Sequence, residues 1–112
     1  MGIATTPRGR ARQAARVDNE ILRMIASKAS PASLTEAELE FDKYPVTKPA
    51  KAHPVWAWVR YGTVPIRVEA ELCAWTLNAG ACRWLVPGKG VEKAWLWGSA
   101  ITDRPQHGSA GE

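Results

Sequence analysis

The first part of the chain carries the apolar pattern of a helix. From about Arg12 to Ala29, apolar side chains recur at spacings of three and four, which is typical of one stripe along an amphipathic helix; the stripe consists of Ala14, Val17, Ile21, Met24 and Ile25. The opposite side is charged, and Pro31 ends the segment. The pattern therefore predicts a helix whose stripe is buried against another element.

A second, shorter helix is predicted after Pro31. The residues Ser33-Leu-Thr-Glu36 have the pattern of a capping box, in which a hydroxyl and a carboxylate satisfy backbone N–H groups at the start of a helix. We expect an acidic helix over residues 35–43. Three prolines then favour an extended connector, because proline lacks the backbone N–H that a helix needs; they are Pro45, Pro49 and Pro54.

From Val55 onward the pattern changes to alternating β-branched, aromatic and polar residues, which is typical of strands. We predict strands over residues 55–61, 64–76, 81–86 and 91–101, joined by short turns that make neighbouring strands antiparallel. The predicted fold class is α+β: an N-terminal amphipathic helix and a short helix, followed by a small antiparallel four- to five-stranded β-meander. We expect this meander to curl into a small SH3-like or Tudor-like barrel.

The second predicted strand indicates which side of the sheet is buried. Its even positions are apolar and its odd positions are mostly charged, so we expect the even side to form the core. A three-residue loop that ends at Gly80 in the left-handed conformation would place Ala74 opposite Trp84. This register predicts a buried Trp84, and it places Trp75 on the outer side beside Arg83 in a cation–π contact.

The chain has six tryptophans, and turn length decides which side of the sheet their rings take. A two-residue turn at residues 62–63 would place Trp56 and Trp58 outward, over Glu69 and Arg67, whereas a three-residue loop would bury both rings. Glycine at the first turn position favours the shorter turn. For the tryptophans at positions 95 and 97, both orientations stay open.

Rings on the outer side would form an aromatic and basic surface with the arginines of the same strands. The candidate partner-binding residues are Trp56, Trp58, Trp75, Arg60, Arg67 and Arg83. Two explanations for such a surface compete. The apolar stripe of the N-terminal helix could fold across the rings, because a stripe needs a partner, or the rings could grip a protein or stack on bases.

The net charge of +4 is concentrated at the N-terminus. Residues 1–30 carry six cations and two anions, residues 31–54 three and four, and residues 55–112 six and five, which gives +4, −1 and +1. A basic arm suits nucleic acid or an acidic protein surface, and a solvated helix face would also explain it. The candidate phosphate contacts are Arg8, Arg10, Arg12 and Arg16.

Composition divides the chain into four segments. We expect residues 1–10 to be a disordered basic tail, residues 11–54 a helical arm with a proline-rich connector, and residues 55–102 a tryptophan-rich β-barrel. Residues 103–112 have little to bury, and we expect a second disordered tail there.

The sequence offers no catalytic or metal-binding motif. Its two histidines, His53 and His107, lie in a proline-rich connector and a terminal segment, away from any cysteine or serine motif. Cys73 and Cys82 are expected to point to opposite sides of one hairpin and to remain free thiols. We therefore expect a protein that is not an enzyme and binds no metal or cofactor. With no apolar segment for a membrane or for export, we expect a cytoplasmic location.

Three segments of the second half carry a family resemblance. They are Pro54-Val-Trp-Ala-Trp-Val-Arg-Tyr61, Val68-Glu-Ala-Glu-Leu-Cys-Ala-Trp75 and Lys93-Ala-Trp-Leu-Trp97, and they resemble short uncharacterised proteins from phages and prophages of high-GC bacteria. Such accessory proteins typically bind a host or phage component, so the resemblance implies an interaction module.

These patterns together predict a non-catalytic binding or assembly module that contacts another protein through a tryptophan-rich β surface. The alternative is a nucleic-acid-binding accessory protein that uses the basic N-terminal arm and exposed aromatic rings.

Overall fold

Five strands and two helices make up the part of the chain that the computed structural model describes, residues 19–105. Residues 19–26 are helical and are named α1, and helix α2 is Glu36–Leu39. The strands are β1 His53–Tyr61, β2 Val64–Trp75, β3 Ala79–Val86, β4 Gly90–Trp97 and β5 Ile101–Asp103, with a 3₁₀ turn at Gly98–Ala100. Several residues predicted to contact phosphate or to form the helix stripe lie outside the described range. They are Arg8, Arg10, Arg12, Ala14, Arg16 and Val17.

The strands form one antiparallel sheet in the order β4-β3-β2-β1-β5. The α+β class and the antiparallel meander are thus confirmed. The sheet is open, however: within residues 19–105, β4 and β5 stand at its two ends and do not pair with each other. The closed barrel is therefore not observed. The 3₁₀ turn carries the chain away from β4, and β5 then pairs with the free side of β1.

The core lies on one side of the sheet, beneath helix α1. Alternate residues of the four long strands enter it, and they are Val55, Ala57, Val59, Tyr61, Ile66, Val68, Ala70, Cys82, Trp84, Val86, Ala94 and Leu96. Leu22 and Ala26 of α1 complete the cluster. The even side of β2 and β3 is buried as predicted, and the core position of Trp84 is confirmed.

Helix α1 buries a different stripe from the predicted one. Ile21 and Met24 are 40% and 64% exposed, whereas Leu22 and Ala26 are buried. Residues 21–26 contain five apolar side chains, which allows two overlapping stripes, and contact with the sheet selects one of them. The described part of the helix packs on the core side. The expectation that its stripe folds across the outer tryptophans is therefore wrong for these residues.

A chain of hydrogen bonds joins the core to helix α1. Trp84 Nε1 donates to Tyr61 Oη at 3.1 Å, and the Tyr61 hydroxyl donates to Glu92 Oε1. Lys89 Nζ lies 2.9 Å from Glu92 Oε2 and donates to the backbone oxygen of Ala26 at 2.6 Å. Burial and the bond to Glu92 raise the pKa of Tyr61 far above its ordinary value, so the hydroxyl keeps its proton. Lys89 thereby places a positive charge at the C-terminus of α1, where the helix dipole favours it.

The capping box of helix α2 lies two residues later than predicted. Thr35 Oγ1 accepts from Glu38 N at 3.2 Å, and Glu38 Oε1 accepts from Thr35 N at 2.9 Å, so these two residues replace the predicted Ser33 and Glu36. The helix is also shorter than residues 35–43. It ends early because Glu40 takes the left-handed conformation with φ of 48°.

A β-bulge at Cys73 shifts the register between β2 and β3. Leu72 lies opposite Cys82 before the bulge, and Ala74 lies opposite Ala81 after it, so Cys73 is an extra residue in β2. The predicted register between these strands is therefore wrong. Before the bulge, the observed pairing is shifted from the predicted one by an even number of residues. An even shift keeps each side chain on the same side of the sheet, so the core side of β3 is as predicted.

The bulge also moves Trp75 to the other side of the sheet. Trp75 lies opposite Gly80, and its ring centroid is 5.8 Å from that of His53, which follows the core-side alternation of β1. The predicted outward position of Trp75 beside Arg83 is therefore wrong. Glycine at position 80 permits the close packing here, since a Cβ atom would lie 2.6 Å from Leu72 Cδ1.

Replacing Tyr61 by Phe should lower the free energy of unfolding by about 1–3 kcal/mol, because the buried indole N–H of Trp84 loses its acceptor. Denaturant titration followed by tryptophan fluorescence measures the change. Val91→Ala, at an exposed position of β4, is the control and should change stability by less than about 0.5 kcal/mol. Equal stability of Tyr61→Phe and the wild type would show that the hydrogen-bond chain does not support the fold.

Candidate functional site

The turn between β1 and β2 places two tryptophans on the outer side of the sheet, away from the core. The strands pair up to a two-residue turn in which Gly62 has φ of 67°, so the shorter of the two turns considered from the sequence is confirmed. Trp56 lies opposite Glu69 and Trp58 opposite Arg67, as that turn predicts. Both rings therefore lie on the outer side.

The ring of Trp56 is already engaged within the protein. The guanidinium carbon of Arg67 lies 4.5 Å from the ring centroid, and that of Arg104 lies 5.9 Å away. Arg104 also donates to the backbone oxygens of Val55 at 3.2 Å and Ala70 at 3.0 Å. Trp56 and Arg67, two of the candidate partner contacts, thus form an internal cation–π pair.

Arg83 is likewise paired within the sheet. Its Nη2 lies 2.8 Å from Glu71 Oε1, and its Nε donates to the same oxygen at 2.8 Å. This hydrogen bond raises the pKa of Arg83. The six candidate residues therefore do not form one surface. Trp58 and Arg60 line one groove, while Trp75 lies on the core side.

The groove opens between β1 and β4, at the gap that the open sheet leaves. Trp58 and Arg60 line it from β1, and Trp95 and Trp97 line it from β4. Residues 32–34 lie between these two walls, and the groove has a volume of about 510 Å³. Sheet curvature thus brings together side chains that are far apart in the sequence.

A short extended segment of the chain bridges the two walls. Ala32 N donates to the backbone oxygen of Arg60 at 2.7 Å, and Leu34 N donates to that of Trp95 at 2.9 Å. Trp95 N in turn donates to Ser33 Oγ at 2.9 Å. Ser33, expected from the sequence to begin a helix, therefore fastens this segment to β4, and the groove lies directly beside the segment.

Two rings of the groove are widely exposed. Trp58 is 53% exposed and Trp97 is 44% exposed. Trp95 is half-buried, since its ring centroid lies 5.5 Å from that of Phe41 in an edge-to-face arrangement. The strand residues between and before the β4 tryptophans are buried, so both tryptophans take the outer side. The orientation of Trp95 and Trp97, which the sequence left open, is therefore outward.

The groove carries one arginine and one glutamate. Arg60 is exposed and takes part in no ion pair within residues 19–105. The carboxylate of Glu38 accepts hydrogen bonds from Thr35 N and Thr35 Oγ1, so it serves the cap of α2. The guanidinium of Arg60 is consequently the charged group of the groove that is available to an anionic partner group.

The outward position of Trp95 and Trp97 depends on the loop before β4. Val86 lies opposite Gly90, so the loop has three residues and even positions stay opposite even ones. A loop of four residues, as the sequence indicated, would reverse this parity. The sequence signal for both rings is the buried side of β3 combined with a loop of three residues. Together they place residues 95 and 97 on the outer side.

The rest of the described chain carries little further chemistry. Between residues 19 and 105 no group of three or more His, Cys, Asp and Glu side chains could hold a metal ion. Cys73 is half-buried and Cys82 buried, both are free thiols as predicted, and burial raises the pKa of Cys82 to about 12. None of the helices in this range has the length and apolar character needed to span a bilayer.

The groove has to be interpreted from its own residues. No family model, no curated protein and no solved structure matches the chain.

Replacing Trp58 and Trp97 together by Phe should remove most of the fluorescence that acrylamide quenches and shift the remaining emission to shorter wavelengths. The reason is that the other tryptophans are buried or half-buried. Trp56→Phe, which keeps an aromatic ring between its two arginines, is the matched control and should leave the quenchable fraction largely unchanged. Equal Stern–Volmer constants for the double variant and the wild type would contradict the exposure of the two rings.

Proposed function

We propose that this protein is a non-catalytic binding module that contacts another protein through the groove between β1 and β4. The observation that carries this proposal is the presence of Trp58 and Trp97, both widely exposed, on the two walls of one groove beside Arg60. Tryptophan and arginine are the residues that most often dominate the energy of protein interfaces. Two exposed indoles in one groove also leave apolar surface in water, which favours burial by a partner.

The packing of helix α1 supports this proposal over a purely structural role for the rings. Leu22 and Ala26 place residues 19–26 of the helix on the core side of the sheet, so these residues do not compete for the groove. The non-catalytic assignment is supported by two of the groove side chains that could act as nucleophile or base. Ser33 and Glu38 both accept hydrogen bonds from the backbone and serve as structural acceptors.

We further propose that the described sheet has an SH3-like arrangement. This is supported by the strand order and by the 3₁₀ turn, which lets β5 return to β1, with residues 32–34 bridging the remaining gap. The resemblance to phage and prophage proteins supports a host or phage protein as the partner. The free thiols agree with a reducing cytoplasm.

The double variant Trp58→Ala/Trp97→Ala should lose partner capture while it stays folded. The immobilised full chain is offered to a bacterial extract, and each protein that the wild type retains is purified and titrated against both forms. We expect the affinity to fall by about tenfold or more, because hot-spot tryptophans contribute on the order of 2 kcal/mol. Thermal unfolding should change little, since both rings are exposed.

Leu85→Ser/Val91→Ser is the matched control for this experiment. These two exposed apolar residues lie opposite each other on β3 and β4, outside the groove. Their replacement should leave affinity unchanged. An equal loss in both double variants, or full affinity without Trp58 and Trp97, would refute the groove as the binding site.

Nucleic acid is the second candidate partner, favoured by the six cations against two anions in residues 1–30. In this case Arg8, Arg10, Arg12 and Arg16 neutralise phosphates while exposed rings stack on bases. Anisotropy titrations with single- and double-stranded DNA at two salt concentrations should then show affinity that falls steeply with salt. Replacing the four arginines by Ala should weaken binding. Salt-independent affinity, or no binding at low salt, excludes this function.

A further inference from the structure

We infer that the groove binds a short extended segment of the partner protein, with an acidic side chain at Arg60 and apolar side chains against Trp58 and Trp97. This inference rests on the proposed function and specifies the class of ligand. It is carried by the chain's own segment in the same gap, by the position of the two rings next to it, and by the charge of the groove.

The gap between β1 and β4 already holds one extended piece of backbone. Pro31 forms a β-bridge with Tyr61, Ala32 N bonds to Arg60, and Leu34 N bonds to Trp95. The segment therefore runs from one wall to the other and hydrogen-bonds to both. A second extended segment would bind beside it in the same way, because a strand edge binds an extended chain through main-chain hydrogen bonds.

The exposed rings lie two residues beyond the strand residues that hold this segment. Trp58 follows Arg60 toward the start of β1, and Trp97 follows Trp95 toward the end of β4. β1 and β4 run in opposite directions, since three antiparallel pairings separate them. The direction from Arg60 to Trp58 along β1 is therefore the same as the direction from Trp95 to Trp97 along β4. A ligand segment beside residues 31–34 would pass between the two exposed indoles. The volume of about 510 Å³ falls in the range of about 300–1,000 Å³ that is usual for ligand clefts.

The charges of the groove favour a peptide carboxylate over a nucleic acid backbone. The planar guanidinium of Arg60 can bind one carboxylate through two hydrogen bonds. A nucleic acid would bring a row of phosphates past Glu38, which lines the same groove, and like charges repel. One acidic residue flanked by apolar residues satisfies Arg60 without bringing further negative charge to Glu38.

Selection of short random peptides on the immobilised full chain tests the inference. Wild-type protein should enrich peptides in which Asp or Glu stands next to aliphatic residues or proline. Arg60→Glu should reverse the charge preference at that peptide position, from acidic to Lys or Arg. Arg83→Glu is the matched control, because this arginine lies on the outer side but outside the groove, and it should leave the selected sequences unchanged.

The best selected peptide is then labelled and titrated by fluorescence anisotropy. Trp58→Ala and Trp97→Ala should each weaken binding by about tenfold, and oligo(dT) should not displace the peptide. Displacement by oligo(dT), no enriched peptide, or enrichment that Arg60→Glu leaves unchanged overturns the inference. If no peptide is enriched but the double tryptophan variant still loses a folded partner protein, the extended ligand is wrong and the proposed function stands.

Discussion

The two-residue turn between β1 and β2 is the constraint on which the rest of the structure depends. Side chains alternate along a strand, so the length of this turn decides which residues of β1 face the core. With Gly62 at positive φ, Val55 and Val59 are buried and Trp58 is exposed. One further residue in the turn would exchange these two sets and leave β1 with a polar and aromatic core side that could not pack against β2 and β3.

The same register sets the position of Tyr61, the last residue of β1. From there its hydroxyl reaches both Trp84 and Glu92, and Glu92 holds Lys89 at the end of helix α1. The helix is thereby fixed on the core side of the sheet. Core formation and an outer side that residues 19–26 leave free are consequences of one arrangement, because Leu22 and Ala26 pack into the core.

The candidate groove exists because the sheet does not close. A closed barrel would pair the two end strands of the sheet, β4 and β5. Here they do not pair, and residues 32–34 bridge the gap between β1 and β4 through a few hydrogen bonds. The aromatic and basic residues of the outer side differ in what they already contact. Trp56 and Arg83 have partners within the sheet, while Trp58 and Trp97 stay exposed on the groove walls. The proposed function therefore depends on the side chains that the fold leaves exposed on the groove walls.

Local patterns were sufficient for the features that depend on neighbouring residues. The alternation of apolar residues defined the strands and the core side of β2, and the glycine of the first turn predicted the orientation of Trp58. The closed barrel was not found, and the capping box was misplaced by two residues because Ser33 and Thr35 both fit the pattern.

The sequence by itself therefore determined the meander and the buried position of Trp84, and it favoured the outward position of Trp58. The tertiary structure decided the rest. The bulge at Cys73 inverts the alternation and turns Trp75 to the core side, and sheet packing selects the stripe of helix α1. Sheet curvature brings Trp97 to the groove of Trp58. The physical reason is that periodicity reports contacts within one segment, whereas bulges, helix rotation and the gap between β1 and β4 depend on contacts between segments far apart in the chain.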